Sequence, residues 1–359
     1  MIRATFAAIL LILSFGNGSA NAQPVADLIL HSTSEGAARA DERLTTVVAD
    51  LFKDRGATRA VLVVEDGRVT AERYAEGYGP DTVFPAYSIT KSLTSTMVGI
   101  LNRAGKLDIH ARADVPEWRG QDDPRRAIRL IDLLQMSSGI DSNEDVADLN
   151  SDTMAMLFGS GRHDVAHHAA DHPLKYQPGS YFTYSNSTTN VMSGIVGRAI
   201  GRGEPGVREF LSKELFGPLN IRSAALGFDD AGTLVGSTYS AMTTRDFARF
   251  GLLYARGGLS PGGRILAEEW VRFVSTPGAA SAGGYGGQFW IGPWSTDPGV
   301  VARWPADGFS MRGFQGQIVT ISPKRKLVIV ILGNTALIKG VDGRAYRDEQ
   351  VAKILAALH

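Results

Sequence analysis

The chain has 359 residues, in which 37 lysines and arginines balance 37 aspartates and glutamates, and it contains no cysteine. A formal charge of zero gives no sign of the basic surface that recognises DNA, RNA or acidic lipid, so no such partner is predicted. The absence of cysteine excludes disulfides, a thiol nucleophile and thiolate metal ligands. A hydrophobic content of 44% is enough for one or two packed domains.

The first residues have the pattern of an export signal. Arg3 precedes an apolar run at 7–13, and Ala20-Asn21-Ala22 offers a small-x-small cleavage site that leaves Gln23 as the first mature residue. We therefore predict a signal peptide at 1–22 and a protein exported to the periplasm or the medium. An ordinary N-terminal helix or anchor is the alternative. No later segment is apolar enough to span a bilayer.

The segment after the signal predicts a helix followed by a β-hairpin. Residues 43–52, "RLTTVVADLF", place their apolar side chains on one helical face. Two β-rich runs then flank Asp66-Gly67 within 60–74, which is a strong hairpin signal.

The middle of the chain is mostly helical in pattern, whereas the C-terminal part returns to strands. Predicted helices include "IRLIDLLQM", "VMSGIVGRAI", "VREFLSKELF" and "RDFARFGLLYARG". Predicted strands are "GQFWIGPW", "GQIVTI" and "LVIVIL", and the last helix is "RDEQVAKILAAL". We therefore predict an α+β fold, with an antiparallel sheet flanked by N- and C-terminal helices. Residues 40–87 and 258–359 form this sheet domain, and 88–257 form an inserted, mostly helical domain with the active site at the interface.

Ser88 and Lys91 lie three residues apart at the start of the apolar helical segment 86–101. Residues at this spacing share one helical face. A lysine is rarely buried without a partner, and a desolvated amine can take the proton of a neighbouring hydroxyl. The alternatives are that Lys91 extends to solvent and that Ser-x-x-Lys occurs by chance.

Tyr184-Ser185-Asn186 stands directly before a predicted helix. A phenol beside an ammonium group can share its proton, so Tyr184 and Lys91 would act as one base. Asn186 would hold the lysine or a substrate amide by hydrogen bonds. The alternative is a tyrosine-rich turn followed by a helix N-cap.

The segment 311–321, "MRGFQGQIVTI", places glycines just before a strand, where the backbone can approach a ligand closely. We predict that Gly313, Phe314 and Gln315 contact the substrate, and that the Phe314 N–H partners the Ser88 N–H as an oxyanion donor. A plain β-bulge is the alternative.

Five stretches then occur in a characteristic order: Ser88-Ile89-Thr90-Lys91, "LLQMSSGI", "PGSYFTYSN", "DFARFGLLYARGG" and "RGFQGQIVTISPKRKLVIVILGN". In this order the chain resembles the serine β-lactamase and penicillin-binding superfamily, in its class C-like branch of esterases and 6-aminohexanoate-dimer hydrolase. The resemblance runs from about residue 44 to 358. It implies that Ser88 is the acylated nucleophile, that Lys91 and Tyr184 are its acid–base partners, and that Asn186 supports substrate and lysine. It also implies an oxyanion hole formed by the N–H groups of Ser88 and Phe314, and the superfamily's sheet-plus-helices fold.

Two departures from the superfamily pattern are informative. The Lys- or His-Thr-Gly triplet that binds a substrate carboxylate is absent, so strong β-lactam turnover is not predicted. Residues 144–150, "EDVADLN", are similar to the class A loop with its deacylating glutamate, but the glutamate position falls on Val146 and the segment precedes Tyr184. A class A mechanism is therefore rejected.

A histidine-rich segment is the one candidate for metal binding. His163, His167, His168 and His172 form i,i+4 pairs, yet no His-Glu-x-x-His is present and the sequence assigns no third ligand. We predict no metal, no cofactor and a solvated helix at the edge of the helical domain.

Residues 201–206, "GRGEPG", fit a nucleotide-binding glycine pattern formally, but they follow a helix, so we interpret them as a loop.

The sequence thus predicts an exported serine hydrolase that cleaves a small-molecule ester or amide through an acyl-enzyme on Ser88. Its alternatives are a D-alanyl-D-alanine carboxypeptidase or weak class C-like β-lactamase, and a penicillin-binding sensor that acylates without turnover. The sequence specifies neither the acyl group nor the oligomeric state.

Overall fold

The computed structural model describes residues 29–30, 35–54 and 56–358. The predicted signal peptide, residues 1–22, lies outside the described residues. The helices are α1 (Glu35–Leu51), α2 (Ile89–Arg103), α3 (Leu130–Leu134), α4 (Asp152–Phe158), α5 (Val165–Ala170), α6 (Asn186–Ile200), α7 (Gly203–Leu211), α8 (Thr244–Ala255), α9 (Glu268–Val274), α10 (Pro298–Arg303) and α11 (Gly343–Ala357). The strands are β1 (Ile29–Leu30), β2 (Thr58–Glu65), β3 (Arg68–Tyr74), β4 (Val83–Pro85), β5 (Ala225–Leu226), β6 (Ser240–Thr243), β7 (Leu259–Ser260), β8 (Gly263–Arg264), β9 (Trp290–Ile291), β10 (Phe309–Gly313), β11 (Gln317–Ser322) and β12 (Leu327–Gly333).

The main sheet is assembled from both ends of the chain, in the order β1-β3-β2-β12-β11-β10-β9. Its neighbours pair antiparallel except for β1, which runs parallel to β3. The pairing of β2 with β12, for example Val61 with Ile331, joins the N-terminal hairpin to the C-terminal strands. The predicted α+β fold with an antiparallel sheet is confirmed.

Both faces of the sheet are covered. Side chains point to opposite faces in alternation along each strand, so neighbouring residues belong to different cores. Val61 and Val63 of β2 pack with α1 and α11, through Leu44 and Leu355 among others. The intervening Leu62 belongs to the larger core shared with the other helices. The terminal helices therefore flank one face, as the sequence predicted.

The hairpin between β2 and β3 has the expected turn chemistry. Asp66 and Gly67 have φ angles of 48° and 79°. Two successive positive φ angles are the signature of the tight turn that Asp-Gly favours between antiparallel strands.

Helix α8 falls within the range 88–257 but packs against the main sheet. A Cβ atom added at Gly251 would lie 2.7 Å from Val328 of β12 and 3.1 Å from Val319 of β11. Only a residue without a side chain allows the helix backbone this close to the strands. Two strands of the small sheet β4-β6-β5 also fall within this range, β5 and β6, whereas β4 precedes it.

The interpretation of residues 201–206 as a loop is wrong in part, because α7 begins at Gly203. Pro205 lies in the first turn of this helix, where a backbone N–H is not needed for the helical hydrogen bonds.

Helix α2 is a core helix, buried from Ile89 to Leu101. Within the described part of the chain, every helix is too short or too polar to cross a lipid bilayer.

Candidate active site

Ser88 stands at the N-terminus of α2, where the chain turns sharply into the helix. The preceding Tyr87 has a φ of 47°, a left-handed conformation that is uncommon for a residue with a large side chain. Strain of this kind concentrates at functional sites. One turn into the helix, Lys91 Nζ lies 3.2 Å from Ser88 Oγ. The structure therefore brings together the serine and lysine that the sequence paired.

The Lys91 side chain is buried, with 1% of its surface exposed. Its Nζ donates hydrogen bonds to Asn186 Oδ1 at 2.6 Å and to the Ser237 carbonyl oxygen at 2.8 Å. Burial lowers the pKa of Lys91 to about 7, while the negative charge of Glu144 acts in the opposite direction. A lysine with this pKa is partly a neutral amine at neutral pH, and a neutral amine can accept a proton.

Tyr184 lies beside the same serine and lysine. Lys91 Nζ lies 5.0 Å from the centroid of its ring, and Ser88 is close enough to affect the pKa of its phenol. Burial raises the pKa of the Tyr184 phenol well above its usual value, although Ser88 lowers it. The phenol is therefore protonated at neutral pH and can donate a proton.

Asn186 is the first residue of α6 and connects the lysine to the surrounding structure. Its Oδ1 accepts from Lys91, and its Nδ2 donates to Thr153 Oγ1 at 2.9 Å. The contact with the lysine is one of the two that the sequence predicted for this side chain. Helix α6 starts here because Ser185 caps it, with its Oγ accepting from the Thr188 N–H at 2.9 Å.

Glu144 is a site residue that the sequence reasoning missed. Its carboxylate accepts hydrogen bonds from Ser142 Oγ (2.8 Å), Ser185 Oγ (2.6 Å), Thr153 Oγ1 (2.7 Å), Asn186 N (2.9 Å) and Ser187 N (3.1 Å). Two of these donors are backbone N–H groups in the first turn of α6, where a negative charge is favoured. No local pattern could have revealed this role, because most of the donors lie 41 to 43 residues away along the chain.

The Glu144 carboxylate is ionised. Burial raises its pKa, but the hydrogen bonds from Ser185, Thr153 and the Asn186 N–H outweigh that effect and bring the pKa below the usual value. Its negative charge therefore stands behind Asn186 and acts on Lys91. A connected chain of hydrogen bonds runs from Glu144 through Thr153 and Asn186 to Lys91.

The loop after β10 packs against the residues that precede the serine. A Cβ atom added at Gly313 would lie 2.3 Å from the carbonyl oxygen of Ala86, so the two backbones are in direct contact. The Phe314 ring meets the Tyr87 ring edge-on at 5.7 Å, and Tyr87 donates its hydroxyl to Gln315 Oε1 at 3.2 Å. All three residues predicted from this segment therefore lie beside the start of α2.

Arg312 is a cation on strand β10, and its side chain is buried in the interior of the protein, where it is paired. It forms a buried ion pair with Asp348 of α11 at 2.7 Å. Its guanidinium also lies over the rings of Trp294 and Trp304, at 4.5 and 5.6 Å from their centroids. This charge is not available to bind a substrate carboxylate, in agreement with the missing Lys- or His-Thr-Gly triplet.

An aromatic wall borders Tyr184; it consists of Phe182, Tyr184, Tyr285, Trp290 and Trp294. The Tyr184 and Trp290 rings are 5.1 Å apart, and the Trp290 and Trp294 rings 4.5 Å. Trp290 and Trp294 are only partly buried. Trp290 therefore offers apolar surface beside Tyr184, a surface suited to an uncharged substrate group.

The histidine-rich segment makes its polar contacts elsewhere. His163 pairs with Asp230, and His167 contacts Glu117 at 2.8 Å. His168 and His172 both face Asp152. Val146, the position compared with the class A glutamate, has an exposed side chain.

A comparison with sequence families identifies one match. The sequence model of the family described as Beta-lactamase matches residues 46–353. Among characterised relatives, the 6-aminohexanoate-dimer hydrolase of Paenarthrobacter ureafaciens is 29% identical over 323 residues, which are 82% of this chain and 77% of that protein.

Solved structures show the same fold. The hydrolase EstCE1, with promiscuous acyltransferase activity, aligns with a TM-score of 0.68 at 16% identity, over 90% of this chain and 100% of that chain. A penicillin-binding protein homologue from Caulobacter crescentus aligns with a TM-score of 0.64 at 15% identity, over 91% and 98% of the two chains. At these identities the likeness establishes the fold.

Proposed function

The chain belongs to the beta-lactamase family, and from this we propose that it is an exported serine hydrolase that cleaves an ester or amide through an acyl-enzyme on Ser88. One observation carries the proposal. A buried lysine with a pKa of about 7 lies 3.2 Å from Ser88 Oγ, and the same lysine nitrogen lies 5.0 Å from the centroid of the Tyr184 ring. This is the arrangement of an activated nucleophile with a base and a proton donor.

In acylation, the neutral Lys91 amine takes the Ser88 proton while Ser88 Oγ attacks the carbonyl carbon. The electron pair of the carbonyl moves onto its oxygen, where the N–H groups of Ser88 and Phe314 stabilise the charge. One such donor contributes about 3–4 kcal/mol to lowering the barrier. The contact of the Gly313 backbone with Ala86 supports this placement of Phe314.

The leaving group departs when its bond to the carbonyl carbon breaks and it receives the Tyr184 proton. Lys91 returns its proton to Tyr184, so both residues end in their starting states. Deacylation reverses the sequence: a water molecule loses a proton through Tyr184 to Lys91, its oxygen attacks the acyl carbon, and Ser88 leaves with the proton from Lys91. The raised pKa of Tyr184 keeps its phenol protonated and ready to donate to the leaving group, and the position of its ring beside Lys91 supports the relay between the two.

The preferred substrate is an ester or linear amide without a carboxylate beside the reacting carbonyl. Two observations support this choice: Arg312 is bound to Asp348, and the aromatic wall is apolar. The relative named 6-aminohexanoate-dimer hydrolase makes that dimer a rational first amide to test. Export rests on the signal pattern at 1–22, and a mature N-terminus at Gln23 in the periplasm or medium is the expected result.

The decisive experiment is labelling with a fluorophosphonate probe, followed by peptide mapping. We expect one adduct, on Ser88, and we expect Ser88→Ala to abolish both labelling and hydrolysis of a short-chain p-nitrophenyl ester. Ser92→Ala is the matched control, because Ser92 lies one turn further in α2 and bonds the Gln288 carbonyl oxygen. A labelled protein with the adduct at another residue, or an active Ser88→Ala variant, would overturn the proposal.

The same purified protein can be used to test two rival functions. Turnover of nitrocefin at a rate comparable to esters would favour a β-lactamase. A stable adduct with fluorescent penicillin, with a burst of product and no steady state, would favour a penicillin-binding sensor.

A further inference from the structure

Three side chains from two segments converge in the helical part of the molecule. Asp152 is the first residue of α4, His168 lies on α5, and His172 follows α5. The histidines belong to the segment for which the sequence offered no third ligand. We propose that Asp152, His168 and His172 bind a divalent transition-metal cation of the Zn²⁺ class.

The spacing of the three donor atoms fits one metal ion. Asp152 Oδ1 lies 3.3 Å from His168 Nε2 and 3.1 Å from His172 Nε2, and all three donors lie within 4.8 Å of one another. Bonds of about 2.0–2.1 Å in a tetrahedral shell place neighbouring ligands about 3.4 Å apart. Small movements of the side chains would therefore bring all three donors within bonding distance of one ion.

The orientation of His172 is a second, independent observation. Its Nε2 atom is buried and makes no hydrogen bond, although Asp152 Oδ1 is close to it. This nitrogen faces a carboxylate oxygen at 3.1 Å without the geometry of a hydrogen bond, as two ligands of one cation would. Meanwhile Asp152 Oδ2 accepts the Asn143 N–H at 2.7 Å, which orients the carboxylate and leaves Oδ1 for the ion.

The backbone also makes room for one of the imidazoles. A Cβ atom at Gly161 would lie 2.8 Å from the His168 ring, so the ring lies directly against this glycine. An open depression is lined by His168 and His172, and the side chains of Asp152, His168 and His172 are 19–27% exposed. An ion can therefore reach the site, and water can occupy its remaining coordination positions.

The donor set determines the class of ion. Two imidazoles and one carboxylate suit Zn²⁺, Cu²⁺ or Ni²⁺ better than Mg²⁺ or Ca²⁺, which prefer oxygen ligands. A bound ion would fix Asp152 at the start of α4. The next residue, Thr153, bonds both Glu144 and Asn186, so the ion would stabilise the segment that supports Lys91. The binding itself does not depend on the proposed hydrolase function.

The test is calorimetric titration of Zn²⁺ into protein stripped with EDTA and prepared without a polyhistidine tag. We expect one ion per chain, a higher melting temperature with zinc, and affinity losses of about tenfold or more in Asp152→Asn and His172→Gln. His167→Gln is the matched control, because this histidine lies on the same helix but contacts Glu117. It should bind zinc as the parent does.

Cobalt(II) gives a spectroscopic check that is independent of heat signals. The parent should develop visible absorption typical of low-coordinate cobalt with nitrogen ligands, and His172→Gln should not. Circular dichroism of each metal-free variant establishes that it is folded. The proposal is overturned if the parent binds no zinc, if folded Asp152→Asn and His172→Gln bind as tightly as the parent, or if His167→Gln abolishes binding.

Discussion

At the scale of single residues, the site depends on one buried lysine whose pKa is set by two opposing effects. Burial disfavours the ammonium form of Lys91, and the ionised Glu144 favours it. Three acceptors surround the Nζ atom, from Ser88, Asn186 and Ser237. The amine is therefore held in place in both protonation states while its pKa stays near neutrality.

This balance predicts the pH dependence of turnover. The mechanism needs the neutral amine, so kcat/KM should rise with pH through an apparent pKa of about 7. Glu144→Gln removes the charge that raises the pKa of Lys91, so the rise should move to lower pH. It should also cost about 1–3 kcal/mol of unfolding free energy, because an amide leaves donors unsatisfied. The measurements are pH–rate profiles with a p-nitrophenyl ester and urea unfolding.

Asp145→Asn is the control for this variant. It removes the same charge from the neighbouring residue, whose exposed carboxylate accepts the Ala147 N–H, a bond that asparagine can keep. Its pH profile should match that of the parent. A Glu144→Gln profile with an unchanged or higher apparent pKa would contradict the assigned electrostatic role.

At the scale of elements, the start of α2 is positioned by the loop that follows β10. The Gly313 backbone touches the Ala86 carbonyl oxygen, and Tyr87 contacts both Phe314 and Gln315. A local spacing in the sequence cannot reveal this contact, since it joins segments more than 220 residues apart. The geometry of the proposed oxyanion site should therefore be sensitive to changes at Gly313.

We expect Gly313→Ala to lower kcat by up to about 10²-fold, the range for loss of one oxyanion donor. The added methyl group would lie 2.3 Å from the Ala86 oxygen and push the loop away from Ser88. Gly197→Ala is the control, because a Cβ atom there, within α6, meets nothing within 4 Å. It should leave kcat unchanged and raise stability by about 0.5–1 kcal/mol. Equal kcat for Gly313→Ala and the parent would disprove the steric argument.

At the scale of the whole molecule, the two ends of the chain depend on each other. Strand β12 pairs with β2, and α11 packs over both. Arg347 of α11 donates to the carbonyl oxygens of Ala57 and Gly316, each at 2.8 Å. Asp348 pairs with Arg312 of β10. The C-terminal helix thus joins the N-terminal strand to the strand that borders the site.

Asp348→Asn should destabilise the fold by about 3–5 kcal/mol, because it leaves the buried Arg312 charge without its partner. The exposed pair of Asp50 and Lys53 provides the comparison, and Asp50→Asn should cost no more than about 1 kcal/mol. Urea unfolding midpoints measure both. Similar losses of unfolding free energy in the two variants would show that the buried ion pair contributes no more to stability than the exposed one.

The sequence by itself determined the features that depend on near neighbours and on periodicity. The Ser88–Lys91 spacing is local, the Asp66-Gly67 turn is local, and the β-rich runs near both ends of the chain predicted an antiparallel sheet. The terminal helices followed from their apolar faces. These patterns give the fold class and the residues that the structure brings together around Ser88.

Only the tertiary structure decided which distant groups meet. The charge of Glu144 acts on Lys91, and Asp152 lies beside two histidines. Arg312 pairs with Asp348, and α8 packs against the sheet. Each of these outcomes depends on the packing of segments far apart along the chain. Hydrogen bonds and charges act over a few ångströms in space, and a linear sequence does not contain those distances.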